Sequence, residues 1–201
     1  MIVIVDYGMG NLGSIQNMLR KVGADAIISK DVAIIENAER LILPGVGAFD
    51  SAMASLETSG VVPILKRKVL DDKTPLLGIC LGMQLLTKRS AEGQTPGLGW
   101  VDAETLRFEN GGIKVPHMGW NTVKIEREDP LFKDMYPEPR FYFVHSYYVK
   151  CAEDDNVLTT TSYGHDFCSS LVQVNIRGVQ FHPEKSHKFG MRLMKNFAEL
   201  V

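Results

Sequence analysis

Apolar and polar positions along the chain fall into two regimes. Up to about residue 87, short unbroken apolar runs alternate with segments of helical period. Ile2–Val5, Ala26–Ile28, Arg40–Leu43 and Leu76–Ile79 read as strands. Ser14–Val22 carries apolar residues at 15, 18, 19 and 22, the spacing of one helix face, with Ser14 placed to cap it. Ala48–Leu56, Val61–Leu70 and Leu81–Thr87 also read as helices, and Pro63 suits a first turn. Beyond residue 100 the pattern changes. Thr105–Phe108, Thr122–Ile125, Phe141–Val144, Val157–Thr161, Ser170–Val174 and Gly178–Phe181 read as strands with few helices between them, before a terminal helix over about Lys188–Leu200. The first regime predicts a parallel sheet covered on both faces. The whole predicts an α/β fold: a mostly parallel open sheet flanked by helices, with an antiparallel extension. No Gly/Ser or Pro linker separates the halves, so residues 1–201 are expected to form one domain.

Composition narrows the function classes. The chain has 201 residues, 45% of them hydrophobic and 23% charged, which excludes disorder, collagen and coiled coil. A folded chain of this size is expected to expose about 9,400 Å². The net charge of −2 offers no basic excess for a phosphate backbone, so no nucleic-acid partner is expected. No apolar run is long enough for a membrane span. The start, Met1 to Asp6, reads as a strand and not as a signal peptide. Cys80, Cys151 and Cys168 are odd in number and lack CxxC spacing, which argues against a disulfide framework or a zinc site and for a reducing cytoplasm. No metal and no cofactor is expected.

Gly8-Met9-Gly10-Asn11-Leu12-Gly13 fits GxGxxG between a strand and a helix, and Asp31 follows Gly13 by 18 residues. A dinucleotide-binding site is one reading. However, Asp6-Tyr7 stands where a tight phosphate turn needs small residues, and a glycine turn that lets the helix pack close to the sheet is the plainer account.

The most informative stretch is Leu76-Leu77-Gly78-Ile79-Cys80-Leu81-Gly82-Met83-Gln84. An apolar strand runs straight into a helical pattern, Cys80 sits at the junction, and glycines flank it at −2 and +2. This is the layout of a nucleophile elbow with sulfur in place of oxygen. Side chains at the flanking positions would collide with neighbouring backbone, and the helix start favours thiolate. A thiol nucleophile needs a base. Among the five histidines, His182 in Phe181-His182-Pro183-Glu184 stands out, because an extended His182 would project to the same side as Glu184. Buried packing is the default for Cys151 and Cys168, and an incidental surface loop is the alternative for His182-Pro183-Glu184.

Cysteine elbow and His-Pro-Glu together resemble the class I (triad) glutamine amidotransferases. Asp6–Asn11, Pro44–Phe49, Pro116–Asn121 and Tyr142–Tyr147 are similar to the branch that serves imidazole glycerol phosphate synthases. The resemblance spans nearly the whole chain. It implies glutamine as substrate, Cys80 as nucleophile, His182 as acid and base, and Glu184 as its orienter. It further implies an oxyanion hole from the N–H groups of Leu81 and Val46. Gly45 and Gly47 would shape that turn, and Gln84, Ser146 and Tyr147 would hold the amino-acid end of the substrate. His145 is expected to line the pocket or to be structural.

The resemblance also implies a heterodimer partner, a (β/α)8-barrel cyclase that consumes the ammonia, since the glutaminase alone takes up the length of the chain. Asn11, Ser14, Met118, Trp120 and Lys185 are expected on the partner-facing surface, with a core aromatic as the alternative for Trp120. Another pathway's amidotransferase subunit, or a catalytically silent assembly module, remain the rival readings.

Overall fold

A computed structural model gives the structure of residues 1–109 and 112–201. The first half alternates as its apolar pattern predicts: β1 (Ile2–Val5), α1 (Leu12–Lys21), β2 (Ala26–Ser29), α2 (Val32–Glu36), β3 (Arg40–Leu43), α3 (Phe49–Thr58), α4 (Val62–Lys66), β4 (Leu76–Ile79) and α5 (Leu81–Leu85). The second half holds β5 (Ala103–Arg107), β6 (His117–Thr122), β7 (Lys124–Ile125), β8 (Arg140–His145), β9 (Tyr147–Cys151), β10 (Val157–Tyr163), β11 (His165–Gln173), β12 (Ile176–Val179) and α6 (His187–Leu200).

The main sheet runs β2-β1-β3-β4-β12-β11-β10-β7, with β9 and then β5 attached to β11. Pairs from β2 through β12 are parallel, and those beyond are antiparallel. This is the mostly parallel sheet with an antiparallel extension that the sequence predicts. β6 and β8 form a separate two-stranded ribbon. Alternation along β1 explains why both faces need cover. Val3 and Val5 pack with Phe49, Met53 and Leu56 of α3, while Ile2 and Ile4 pack with Ile15 and Leu19 of α1 and Phe197 of α6. The folded chain exposes 9072 Å², close to the expected area. No helix among the described residues is long and apolar enough to cross a membrane.

Three local expectations are corrected. Ser14 lies inside α1, which starts at Leu12 after Asn11, so it is not the cap. Asp31 accepts from the Ala33 N–H at 2.8 Å and caps α2, a helix that the apolar pattern does not predict. The helix expected to reach Leu70 stops as an α-helix at Lys66 and continues to Asp71 as a π-helical turn.

The parallel order places the carboxyl ends of β1, β3, β4 and β12 side by side. The segments that follow them, Asp6–Gly10, Pro44–Gly47, Cys80 and Gln180–His182, therefore converge on one rim of the sheet, where α/β folds bind ligands.

Candidate active site

Cys80 caps α5 with φ +54° and ψ −112°, a left-handed conformation for a non-glycine residue. The turn is held by close backbone approaches. A β-carbon on Gly82 would sit 1.9 Å from the Leu43 carbonyl oxygen, and one on Gly78 2.9 Å from the Met83 backbone. Both flanking glycines are therefore sterically required. Cys80 is mostly buried but opens onto a cavity of about 370 Å³, within the usual size of small-ligand sites.

His182 reaches the same cavity from β12. Its backbone N–H donates to the Tyr142 carbonyl at 2.9 Å, and its carbonyl accepts from Ser186 Oγ at 2.6 Å. His182 is extended as expected, but it does not meet Glu184 through two-residue alternation. Pro183–Lys185 forms a short 3₁₀ turn that folds the carboxylate back, so Glu184 Oε1 lies 2.8 Å from His182 Nδ1. Both side chains are almost wholly buried. Among the described residues, His182 Nε2 has no hydrogen-bond partner, which leaves it able to exchange a proton with the reacting groups. Burial opposes charge on the ring, but Cys80 and Glu184 on either side outweigh it and push the His182 pKa up to about 10.

The Pro44–Gly47 turn forms the opposite lip. Gly45 presses against the elbow, where a β-carbon would lie 2.8 Å from the Gly82 nitrogen, and Gly47 adopts φ +106°. Val46 is exposed on this lip, and Val46, Gly47 and Leu81 line the cavity. The first N–H groups of a helix lack intrahelical partners, and the turn brings a second stretch of backbone beside them.

Gln84, Ser146, Tyr147 and Lys185 also line the cavity. Both Nε2 hydrogens of Gln84 are engaged, by the Tyr147 carbonyl at 3.2 Å and by Gln180 Oε1 at 3.0 Å, so Gln84 can offer a ligand only its oxygen. Asn11, Ser14, Met118 and Trp120 lie outside the cavity. Met118 and Trp120 are exposed at 61% and 47%, on the outward-facing positions of β6, and Trp120 stacks on His187. Trp120 is thus a surface side chain and not a core aromatic.

Several residues near the site escaped the sequence reading. Gln180 is fully buried, with Nε2 3.7 Å from Cys80 Sγ. An amide between Val179 and Phe181, two residues before His182, was the available signal. Glu92 lines the cavity while accepting from the Phe49 N–H at 3.1 Å, and burial raises its pKa. Nothing in its local sequence marks it. The expected glycine-turn role for Gly8–Gly13 holds in part: Gly10 packs on Pro44, whereas Gly13 faces open space. Cys151 and Cys168 lie away from Cys80, with their sulfurs 3.9 Å apart, and are free thiols. Among the described residues no cluster of side chains could hold a metal.

The family model for class I glutamine amidotransferases matches residues 3–200. The chain is 56% identical to imidazole glycerol phosphate synthase subunit HisH 2 of Methanococcus maripaludis, over 98% of each. It is 52% identical to imidazole glycerol phosphate synthase subunit HisH 2 of Pseudomonas aeruginosa, over the full length of both. A crystal structure of a glutamine amidotransferase shares the fold, with a TM-score of 0.74 at 20% identity, covering 98% of this chain and 97% of that one. The structure of PurLQS from Thermotoga maritima is as similar, with a TM-score of 0.74 at 17% identity, covering 98% and 96%. By the match of nearly its whole length, the chain belongs to the class I glutamine amidotransferase family.

Proposed function

We propose that the chain is the glutaminase subunit of an imidazole glycerol phosphate synthase in histidine biosynthesis, and that its chemistry runs on Cys80, His182 and Glu184. The observation that carries this reading is the His182 ring, held by Glu184 at 2.8 Å with its other nitrogen unpartnered, beside a cysteine on a strained elbow.

Cys80 Sγ attacks the carboxamide carbon of glutamine. The resulting oxyanion takes hydrogen bonds from the backbone N–H groups of Leu81 and Val46, each worth about 3–4 kcal/mol of transition-state stabilisation. His182 gives its proton to the departing nitrogen, ammonia leaves, and a γ-glutamyl thioester remains. Water then loses a proton to His182, attacks the thioester, and releases glutamate and the free thiol. Glu184 holds the ring and balances its charge. Ser146 and Tyr147 flank the substrate's carboxylate end. The Glu92 carboxylate and the Gln84 oxygen are acceptors for its ammonium.

The ammonia passes to a (β/α)8-barrel cyclase subunit docked over Asn11, Ser14, Met118, Trp120 and Lys185. Residues 1–201 act as one glutaminase domain, expected in the cytoplasm and without metal or cofactor. Glutamate release from glutamine, measured with and without the cyclase and its nucleotide, tests the reading. Cys80→Ala is expected to abolish turnover, and undiminished hydrolysis in that variant would refute the nucleophile assignment.

A further inference from the structure

Several polar side chains beside the nucleophile have no step in this reaction, yet His117, His145 and Gln180 are buried. Buried polar groups are nearly always paired, and here the pairing has a fixed direction. Asn121 Oδ1 accepts from the Thr122 N–H at 2.8 Å, which identifies Nδ2 as the donor end of the amide. Its two hydrogens point to the Ser162 carbonyl at 3.0 Å and to His117 Nε2 at 3.2 Å. His117 Nε2 must therefore accept, so the ring carries its proton on Nδ1, which lies 3.0 Å from His145 Nε2. His145 Nε2 accepts in turn, and His145 Nδ1 donates to the Tyr147 carbonyl at 2.7 Å. A carbonyl cannot donate, so this end fixes the same tautomers independently.

The array continues to the sulfur. The Tyr147 carbonyl also accepts from Gln84, Gln84 donates to Gln180 Oε1, and Gln180 Nε2 faces Cys80 Sγ. Cross-strand register makes the histidine pair possible, since His117 stands directly opposite His145 in the β6–β8 ribbon. Protonating either imidazole would set donor against donor. Burial also disfavours that charge, pushing His117 down to about 4 and His145 to about 3.

We propose that His117, His145 and Gln180 are positioning residues: the neutral histidine pair fixes the Tyr147 wall of the glutamine pocket, and Gln180 directs an amide hydrogen at the Cys80 sulfur. The inference rests on Cys80 being the glutaminase nucleophile. A sulfur that must become anionic in a buried site gains from a donor that brings no charge of its own, and Gln180 is held in that orientation by Gln84.

Imidazole ¹⁵N NMR on the unmodified chain between pH 5.5 and 8 tests the array directly. His117 and His145 are both expected to be neutral with the proton on Nδ1, opposite to the tautomer that free histidine favours. An Nε2 proton on either ring, or titration near 6.5, would overturn the proposal. Four variants then test the consequence. His117→Phe is expected to raise the glutamine KM about tenfold with kcat within twofold, and His117→Asn, which retains a donor near the Nδ1 position, to restore KM. Gln180→Leu, and Gln180→Glu, which keeps an acceptor for Gln84, are both expected to slow iodoacetamide alkylation of Cys80 at pH 7 about tenfold. Alkylation within twofold of the parent in both, or an unchanged KM in His117→Phe, would also overturn it. Failure of the nucleophile reading is distinguishable, because Cys80→Ala would then hydrolyse glutamine while the tautomers stayed as stated.

Discussion

The Tyr7 phenol donates a hydrogen bond to the Pro44 carbonyl at 2.7 Å, in a buried contact that ties the loop after β1 to the turn after β3. That turn is the one proposed to supply an oxyanion donor. Tyr7 is itself anchored, since its carbonyl accepts from Ser55 Oγ of α3 at 2.5 Å. Burial, and then charge on Cys80, raise the phenol's pKa, so it stays a donor across the working pH range.

Tyr7→Phe removes the donor and little else. It leaves the Pro44 carbonyl buried without a partner, at a cost of about 1–3 kcal/mol. The expected result is a modest fall in denaturation midpoint together with a kcat lowered about tenfold. Circular dichroism melts and steady-state glutaminase kinetics would check it. A full kcat with lowered stability would show that the turn holds its shape without the phenol.

The elbow glycines make a steric prediction. A β-carbon on Gly82 meets the Leu43 carbonyl at 1.9 Å, and backbone cannot move aside as a side-chain tip can. Gly82→Ala is therefore expected to destabilise by more than about 4 kcal/mol, in the exceptional range for a point change. Gly13→Ala is the contrast. Gly13 sits in α1 with open space around its α-carbon, and alanine there is expected to stabilise by about 0.5–1 kcal/mol. Urea denaturation of the two variants beside the parent measures both signs.

Glu184→Gln isolates the charge of the orienting residue. The amide retains an oxygen that can accept from His182 Nδ1, so the ring keeps its place, but the charge that helps raise the His182 pKa is gone. A loss of about 100-fold in kcat is expected, at the lower end of general acid–base contributions, with KM little changed. A loss below fivefold would mean that Glu184 is dispensable as a charge.

Much of this site was legible in the sequence because its strongest signals are local. Gly78, Cys80 and Gly82 lie within five consecutive residues at a change of hydrophobic period, and the structure puts the turn there. β6 was not legible as a strand. Among the described residues it pairs only with β8, and it alternates buried His117 with exposed Met118 and Trp120, so its few buried positions include a histidine and no aliphatic side chain. Gln180 and Glu92 were missed because their positions follow from tertiary packing. Glu92 comes to the cavity through its bond to the start of α3, 43 residues away in sequence. His117 and His145 were visible as residues, but their contact depends on strand register, which no local pattern specifies.

The three perturbed histidines predict a maximum in stability against pH. His182 has a raised pKa, so its contribution is fully present below the unfolded value near 6.5 and is lost as pH rises through about 10. His117 and His145 are lowered to about 4 and about 3, so the unfolded chain takes up their protons first, and their contribution is lost as pH falls below 6.5. Each can add at most about 1.4 kcal/mol per pH unit on its side. Chemical denaturation from pH 4 to 10 should give a dome with its top near pH 6.5–7. Replacing His182 with Asn should flatten only the alkaline limb, and an unchanged alkaline slope would count against the raised pKa.

Trp120 separates a surface role from a packing role. Its indole is 47% exposed, stacks on His187 with ring centroids 5.4 Å apart, and stands on the same outward edge of β6 as Met118. Large exposed aromatics are over-represented among the side chains that dominate binding energy at interfaces. A half-exposed tryptophan contributes less to the core than a buried one, so Trp120→Ala should cost about 1 kcal/mol of stability or less. Its effect on association with the proposed cyclase partner should be larger, at least tenfold in Kd, corresponding to about 1.4 kcal/mol. Isothermal titration of the cyclase into the parent and the variant, beside their thermal melts, compares the two effects directly. A variant that melts many degrees lower while binding unchanged would place Trp120 with the fold, and the partner surface would then have to lie elsewhere than on β6.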